Sequence, residues 1–293
     1  MDKNLQEKKE KLEKLVSNHF EKELLNACFD NLNDENNKLR FNNFAYSIRE
    51  LSRHILHSLA PDDEVLNCSW YKNEIADVVN GITRGQRIKY AIQGGLSDEF
   101  VAEVLLDFES YTELKREIID SITLMSKYTH VNEPTFNIDA KDVEYFSKSV
   151  ICAFEDFIDT INSCKEDLVN ALEDRINEQF FDDLMLASVN EIDILSTHHE
   201  IESIESDEIV ITKILSQTIE IEAHGNVDVR LQWGSDRDVL RGNGAEMQTD
   251  FPFTSKLTAQ IDDKLPNSTI TVEEFEVDTE SWYGEDEVED EDA

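Results

Sequence analysis

Residues 219–233 read IEIEAHGNVDVRLQW. Apolar and polar side chains alternate there with a period of two, the pattern of a half-buried antiparallel strand. The same alternation recurs in KLTAQID (256–262) and TITVEEFEV (269–277). Gly225, in AHGN, predicts a tight hairpin that divides the quoted stretch into two strands, 219–223 and 227–233. From about Leu195 onward the chain therefore reads as a small antiparallel β domain with an acidic solvent face.

Upstream the period is helical. Phe41, Phe44, Ile48, Leu51, Ile55 and Leu59 fall on one helix face, and Pro61 stops that helix. Leu5, Leu12, Leu15, Val16, His19, Phe20 and Leu24 predict one amphipathic helix at the start of the chain. Ser97, with Asp98 and Glu99 behind it, supplies the N-cap and first-turn acids of a helix over 97–106. Another helix follows at Glu113–Tyr128. The longest covers 139–173, capped by Asp139 and lined by Val143, Phe146, Val150, Phe154, Phe157, Ile158, Ile161, Leu168 and Leu172. The fold class is thus α+β, with an α-helical bundle over 1–195, a β domain over 196–283 and a tail over 284–293.

The 293 residues carry a formal charge of -38. Such a polyanion is repelled by DNA, RNA and anionic membranes, so contact with nucleic acid requires a local basic patch. Part of the excess sits in GEDEVEDEDA (284–293), a like-charge block expected to be disordered. No run of about 18 apolar residues is present, which predicts a cytoplasmic protein without a membrane span. The four cysteines, Cys28, Cys68, Cys152 and Cys164, are scattered and are expected as free thiols rather than as disulfides or a zinc knuckle.

Basic residues cluster in two places. Arg49, Arg53 and His57 recur every four residues beside the apolar stripe of the Phe41 helix. In TRGQRIKY, Arg84, Arg87 and Lys89 lie close together at a helix entry. Guanidinium groups pair bidentately with phosphate oxygens, so these are candidate phosphate ligands. Pairing with the chain's own carboxylates is the competing reading.

In SKYTHVNEPTF (126–136), His130 follows a helix and precedes Pro134, with Lys127 as the cation near it in sequence. It reads either as a residue satisfying helix-end carbonyls or as a general acid or base. His198, Glu200 and Glu202 share one face if their segment is extended, which would suit a divalent cation such as Mg or Mn. In LQWGSDRDVLRGNGAE (231–246), Arg237 and Arg241 alternate with Asp236 and Asp238. That loop either ties itself down through Arg–Asp pairs or presents its charges to phosphate or metal.

The helical part resembles the HEPN class, bundles that include metal-independent RNases with an arginine and a histidine four to six residues apart. Arg49 to His54 matches that spacing, but five residues turn a helix by about 500°, so the two side chains point apart. Taken together, SIRELSRHILHSLAPDDEV, TRGQRIKYAIQGGLSDEFV, LMSKYTHVNEPTF, STHHEIESIESDEI and LQWGSDRDVLRGNGAE resemble the predicted nuclease family associated with prokaryotic PIWI proteins. The resemblance implies a defence protein against phages and mobile elements, acting on nucleic-acid phosphodiesters or serving as a non-catalytic adaptor or sensor in a defence complex. Other defence proteins and nucleic acid are the partners it implies, and self-association stays open. On this reading His130, Arg49 and Arg53 are the catalytic candidates. Arg84, Arg87, Lys89, Lys127, Arg237 and Arg241 would hold phosphate, and His198, Glu200 and Glu202 a metal.

Overall fold

The computed structural model describes residues 3–105, 108–184 and 190–283. The expectation for residues 284–293 lies outside the described residues. The architecture is α+β, with helices first and a four-stranded antiparallel sheet after them. The chain divides into two compact units, residues 1–167 and 168–293. No helix among the described residues is long and apolar enough to cross a membrane.

The first unit holds α1 (Lys3–Leu12), α2 (His19–Asn33), α3 (Arg40–Leu59), α4 (Asp62–Asn67), α5 (Arg84–Gln93), α6 (Asp98–Phe100), α7 (Phe108–Tyr128) and the start of α8 (Ala140–Leu184). Helix α3 is its centre and packs against α2, α5 and α7. Phe41, Phe44, Ile48, Leu51 and Ile55 on its apolar face are each almost fully buried. The single helix expected at the N-terminus is instead two. Asn18 accepts the Glu21 N–H at 3.0 Å, and the Glu21 carboxylate accepts the Ser17 N–H at 2.8 Å. These two caps start α2 afresh, and a local cap outweighs a continuous apolar period. Ser97 caps α6 as expected, but a π-helical turn over Val101–Leu105 follows it. Asp139 caps α8 by accepting the Lys141 N–H at 2.9 Å.

The junction between α7 and α8 is tied to α3. The buried Asn42 amide donates to the carbonyls of Tyr128, at 2.9 Å, and Thr135, at 3.1 Å. Thr135 in turn donates its hydroxyl to the His130 carbonyl at 2.7 Å. Phe41 packs edge-on to Tyr128 beside this tie, with ring centroids 4.9 Å apart.

In the second unit, α9 (Asn190–Asp193) leads into β1 (His198–Ile214), β2 (Thr218–Trp233), α10 (Asp236–Leu240), β3 (Ala245–Gln260) and β4 (Ile270–Val277), hydrogen-bonded in sequence order. Ile219, Ile221, Ala223, Val227, Val229 and Leu231 of β2 alternate inward, as their period demands. They meet Phe251, Phe253, Leu257 and Ala259 of β3 in the core, and Phe180 of α8 packs on Phe253 at 5.3 Å.

The hairpin expected at Gly225 does not form: residues 218–233 are one continuous strand. Gly225 pairs with Ser206 on one side and Phe253 on the other. A Cβ there would stand 2.0 Å from the Glu205 carbonyl oxygen, next to the bulge between Ser206 and Glu208. The glycine thus serves a close backbone approach rather than a turn.

Two outcomes follow for stability. Gly225→Ala should cost about 2–3 kcal/mol, because the obstructing atom is backbone and cannot step aside; urea unfolding followed by tryptophan fluorescence reads it. Asn42→Ala, which removes both ties to the junction, should cost about 2 kcal/mol in the same measurement.

Candidate functional site

Helix α3 places Arg49, Arg53 and His57 four residues apart on its polar side, facing the corner where α4 and α5 begin. Arg87 of α5 is buried there. Its guanidinium donates to the Ala60 carbonyl at 2.5 Å and to the Asp62 carboxylate at 2.6 Å. It is therefore a structural clamp on the α3–α4 corner rather than a free phosphate ligand. Asp62 also lies 3.9 Å from Nδ1 of the half-exposed His57. Burial, then the nearby charge of Arg87, hold the His57 pKa below its ordinary value, with Asp62 opposing.

Arg84, the first residue of α5, makes no ion pair or hydrogen bond among the described residues. Desolvation, then the like charge of Arg49, lower its pKa. Among the described residues Arg49 itself pairs only with Glu50, at 3.6 Å. The Lys115 side chain of α7 lies against the same first turn of α5: a Cβ on Gly85 would stand 2.8 Å from its Cε. Three helices thus direct cations to one place, and Arg84 and Lys115 form no ion pair among the described residues.

The other candidates of this unit are occupied or apart. Arg53 donates to Glu50 at 3.1 Å and to Nε2 of His54 at 2.9 Å. A guanidinium has no acceptor, so His54 must accept there. The His54 ring meets Phe20 of α2 edge-on at 5.1 Å. Arg49 and His54 therefore face different neighbours, as the helical turn between them requires. Lys89 is engaged by Asp98 at 2.6 Å and by the Trp70 ring at 4.4 Å. Lys127 lies 5.5 Å over Tyr128.

His130 is exposed, and its backbone carbonyl, not its ring, is held. The junction sits at Asn42, from which Arg49 is about 10 Å and Arg53 about 16 Å along α3 at 1.5 Å per residue. His57, farther still, is the histidine that the structure surrounds with arginine. Sequence reasoning saw it only as part of a polar stripe. Asp62 and Lys115 were missed altogether: Asp62 lies just beyond Pro61 but on the next helix, and Lys115 lies far from the stripe in the chain.

In the second unit, Arg230 reaches across from β2 to β1 and pairs with Glu200, and its Nε lies 3.4 Å from Glu202. Gln248 donates to the Glu202 carboxylate at 2.9 Å. The face expected to bind a metal through His198, Glu200 and Glu202 is thus neutralised by a guanidinium. No group of three or more His, Cys, Asp or Glu among the described residues is placed to hold a metal ion. An open cleft of about 530 Å³ lies beside it, lined by His198, His199, Glu200, Arg230, Asp236 and Glu246 among others. His199 Nδ1 is 3.1 Å from Asp193.

The loop after Trp233 does not tie itself down by Arg–Asp pairs. Ser235 caps α10, donating its hydroxyl to Asp238 at 2.6 Å, and Gln232 donates to Asp236 at 3.0 Å. Arg237 and Arg241 stay exposed and make no ion pair among the described residues.

Two family models, each described as a predicted pPIWI-associating nuclease, match residues 13–154 and 161–283. No curated protein and no solved structure matches the chain. The two matches follow one another and span nearly all of it, one over the helical part that carries the basic cluster and one over the sheet. The chain belongs to the predicted pPIWI-associating nucleases.

Proposed function

We propose that this protein is the phosphodiester-cleaving member of a prokaryotic defence system, and that the α3–α5 face is its site. The observation that carries the reading is the pair Arg49 and Arg84. The charge of Arg49 acts on Arg84, which is unpaired among the described residues, in a chain whose 65 acidic residues offer partners everywhere. Lys115 adds a third cation. A phosphate group relieves such repulsion, and the negative charge that develops on the phosphoryl oxygens in the transition state relieves it further.

His57 is the acid–base group of this reading. Its depressed pKa keeps the imidazole neutral near pH 7, ready to take a proton from an attacking hydroxyl or water. Arg53, one turn away, and Arg49, two turns away, flank the same face. His130 has no part in this arrangement.

A second reading keeps the chain as a non-catalytic adaptor. The family description itself names association with pPIWI, so a partner protein is expected in either case.

Cleavage of labelled RNA and DNA, with the partner protein present, separates the two. His57→Asn should lower the rate about 10²- to 10⁴-fold. Arg84→Ala should weaken binding of all sequences alike and reduce the salt slope by about one. His130→Ala should leave the rate within about twofold, as an exposed surface substitution does. Because the folded His57 pKa is lowered, the base form persists into mild acid. The rate should be flat through neutrality and fall only as pH drops through a value below the ordinary 6.5 or so of histidine. If the folded protein leaves every substrate intact, with and without Mg²⁺ or Mn²⁺, and His57→Asn and Arg84→Ala leave defence unimpaired, the adaptor reading replaces this one.

A further inference from the structure

Two large aromatic rings stand bare beside the arginine row of α3. Tyr46 is 57% exposed, and its hydroxyl makes no hydrogen bond among the described residues. Arg53 lies seven residues on, about 20° short of two full turns, and His57 eleven residues on, about 20° past three. Tyr46 therefore stands in line with both, and Arg49, at i+3, is its neighbour on the same surface. Burial along α3 agrees: Phe44, Ile48, Leu51 and Ile55 are covered, whereas Tyr46, Arg53 and His57 are exposed. The second ring is Phe20 of α2, also 57% exposed. It is held in place, since its ring meets that of His54 at 5.1 Å with 73° between the planes, and His54 accepts from Arg53. One exposed apolar residue calls for no explanation. Two aromatic rings beside one row of arginines, on the open side of one helix, do.

The spacing has a chemical meaning. His54, which Phe20 contacts, lies eight residues from Tyr46, about 12 Å along the α3 axis. A stacked strand of nucleic acid advances about 3.4 Å per nucleotide, so roughly three or four nucleotides fill that length. Arg49 and Arg53 fall within it, about 4.5 and 10.5 Å from Tyr46 along the axis, and the charge of Arg49 acts on Arg84 of α5. Glu50 shares the row, 3.1 Å from Arg53 and 3.6 Å from Arg49, but exposed pairs of this kind are weak and yield to a phosphate. In a duplex the base faces are stacked on one another, out of reach of a side chain. In a single strand they are free to stack on an aromatic ring, and every base has such a face.

We infer that the open side of α3 is a track for single-stranded nucleic acid, with bases on the rings of Tyr46 and Phe20 and the intervening phosphates on Arg49, Arg53 and Arg84. The inference rests on the phosphate-binding reading of the α3–α5 face and narrows its substrate to unpaired strands. Tyr46 and Phe20 bind and do no chemistry. Stacking is indifferent to sequence, so the track takes strands of any composition.

Fluorescence anisotropy tests it on the full chain carrying His57→Asn, so that no probe is cut. The probes are labelled oligothymidylate and oligouridylate of about 12 nucleotides, an abasic deoxyribose-phosphate strand of the same length and a duplex of the same length. The base-bearing single strands should bind about tenfold or more tighter than the duplex or the abasic strand, and the tighter of the two names the preferred sugar. Tyr46→Leu and Phe20→Leu should each weaken the base-bearing strands about tenfold and the abasic strand less than about twofold, whereas Tyr46→Trp should keep full affinity. The track falls, and the phosphate site stands, if the abasic strand binds as tightly as the others, if both leucine variants bind like the parent, or if Tyr46→Trp weakens binding as much as Tyr46→Leu. If no probe binds, the abasic strand included, the phosphate site falls with it.

Discussion

The corner of α3, α4 and α5 depends on one buried cation. The Arg87 guanidinium lies inside the first unit against the Ala60 carbonyl and the Asp62 carboxylate. A buried charge is tolerable only when paired and hydrogen-bonded, and both partners come from the turn that Pro61 enforces between α3 and α4. The clamp fixes where α5 begins, and so where Arg84 stands. It also fixes Asp62 beside His57. Its remaining effect is electrostatic, since its charge joins burial in holding the His57 pKa down. A residue that touches no substrate in the proposed reading thus sets the position of one group there and the protonation of another.

The acidity of the chain makes its cations informative. With 27 lysines and arginines among 65 acids, pairing is what any exposed cation should do. Many do: Lys11 with Asp159, Lys89 with Asp98, Lys213 with Glu220, Arg230 with Glu200 and Lys256 with Glu274. Arg84 and Lys115 in one unit, and Arg237 and Arg241 in the other, form no such pair among the described residues. In each place the local frame is built by other interactions, a capping box on Thr83 and Gln86 in the first and on Ser235 and Asp238 in the second. The cations are held in position without their charge being used.

Local chemistry made much of the fold legible. The apolar stripe of α3 and the alternation of β2 and β3 each follow from a period, and periods survive without knowledge of contacts. The failures were of two kinds. Where a local cap competes with a period, as at Asn18 and Glu21, the period alone joins two helices into one. Where a glycine serves a backbone contact from a distant strand, as Gly225 does with Glu205, its neighbours in sequence suggest a turn. The site was less legible because it is assembled from three helices. Arg49 and Arg84 stood out by their clustering, but that the charge of one acts on the other, that Lys115 joins them, and that Arg87 is held by the Ala60 carbonyl and the Asp62 carboxylate are tertiary facts. The exposed His130 drew attention because it sits in a distinctive stretch, whereas that stretch is a junction held by Asn42 and Thr135.

On the proposed reading a polyanion acts on a polyanion, which poses a problem of encounter. At a net charge of -38 the long-range field repels nucleic acid, and only within about a Debye length, roughly 8 Å at physiological salt, does a local patch of three or four cations prevail. On the proposed reading, free capture of substrate from solution would therefore be slow, and rates would rise as salt screens the repulsion before falling as it screens the patch. A nucleic acid already held by a basic partner presents no such barrier: its charge is largely neutralised, and the partner's own surface attracts the acidic chain. On that reading the repulsion would work as selectivity, sparing free nucleic acid and admitting what a partner delivers. The family's description as associating with pPIWI fits that division of labour, in which the partner supplies affinity and this chain supplies a few fixed cations and one neutral imidazole.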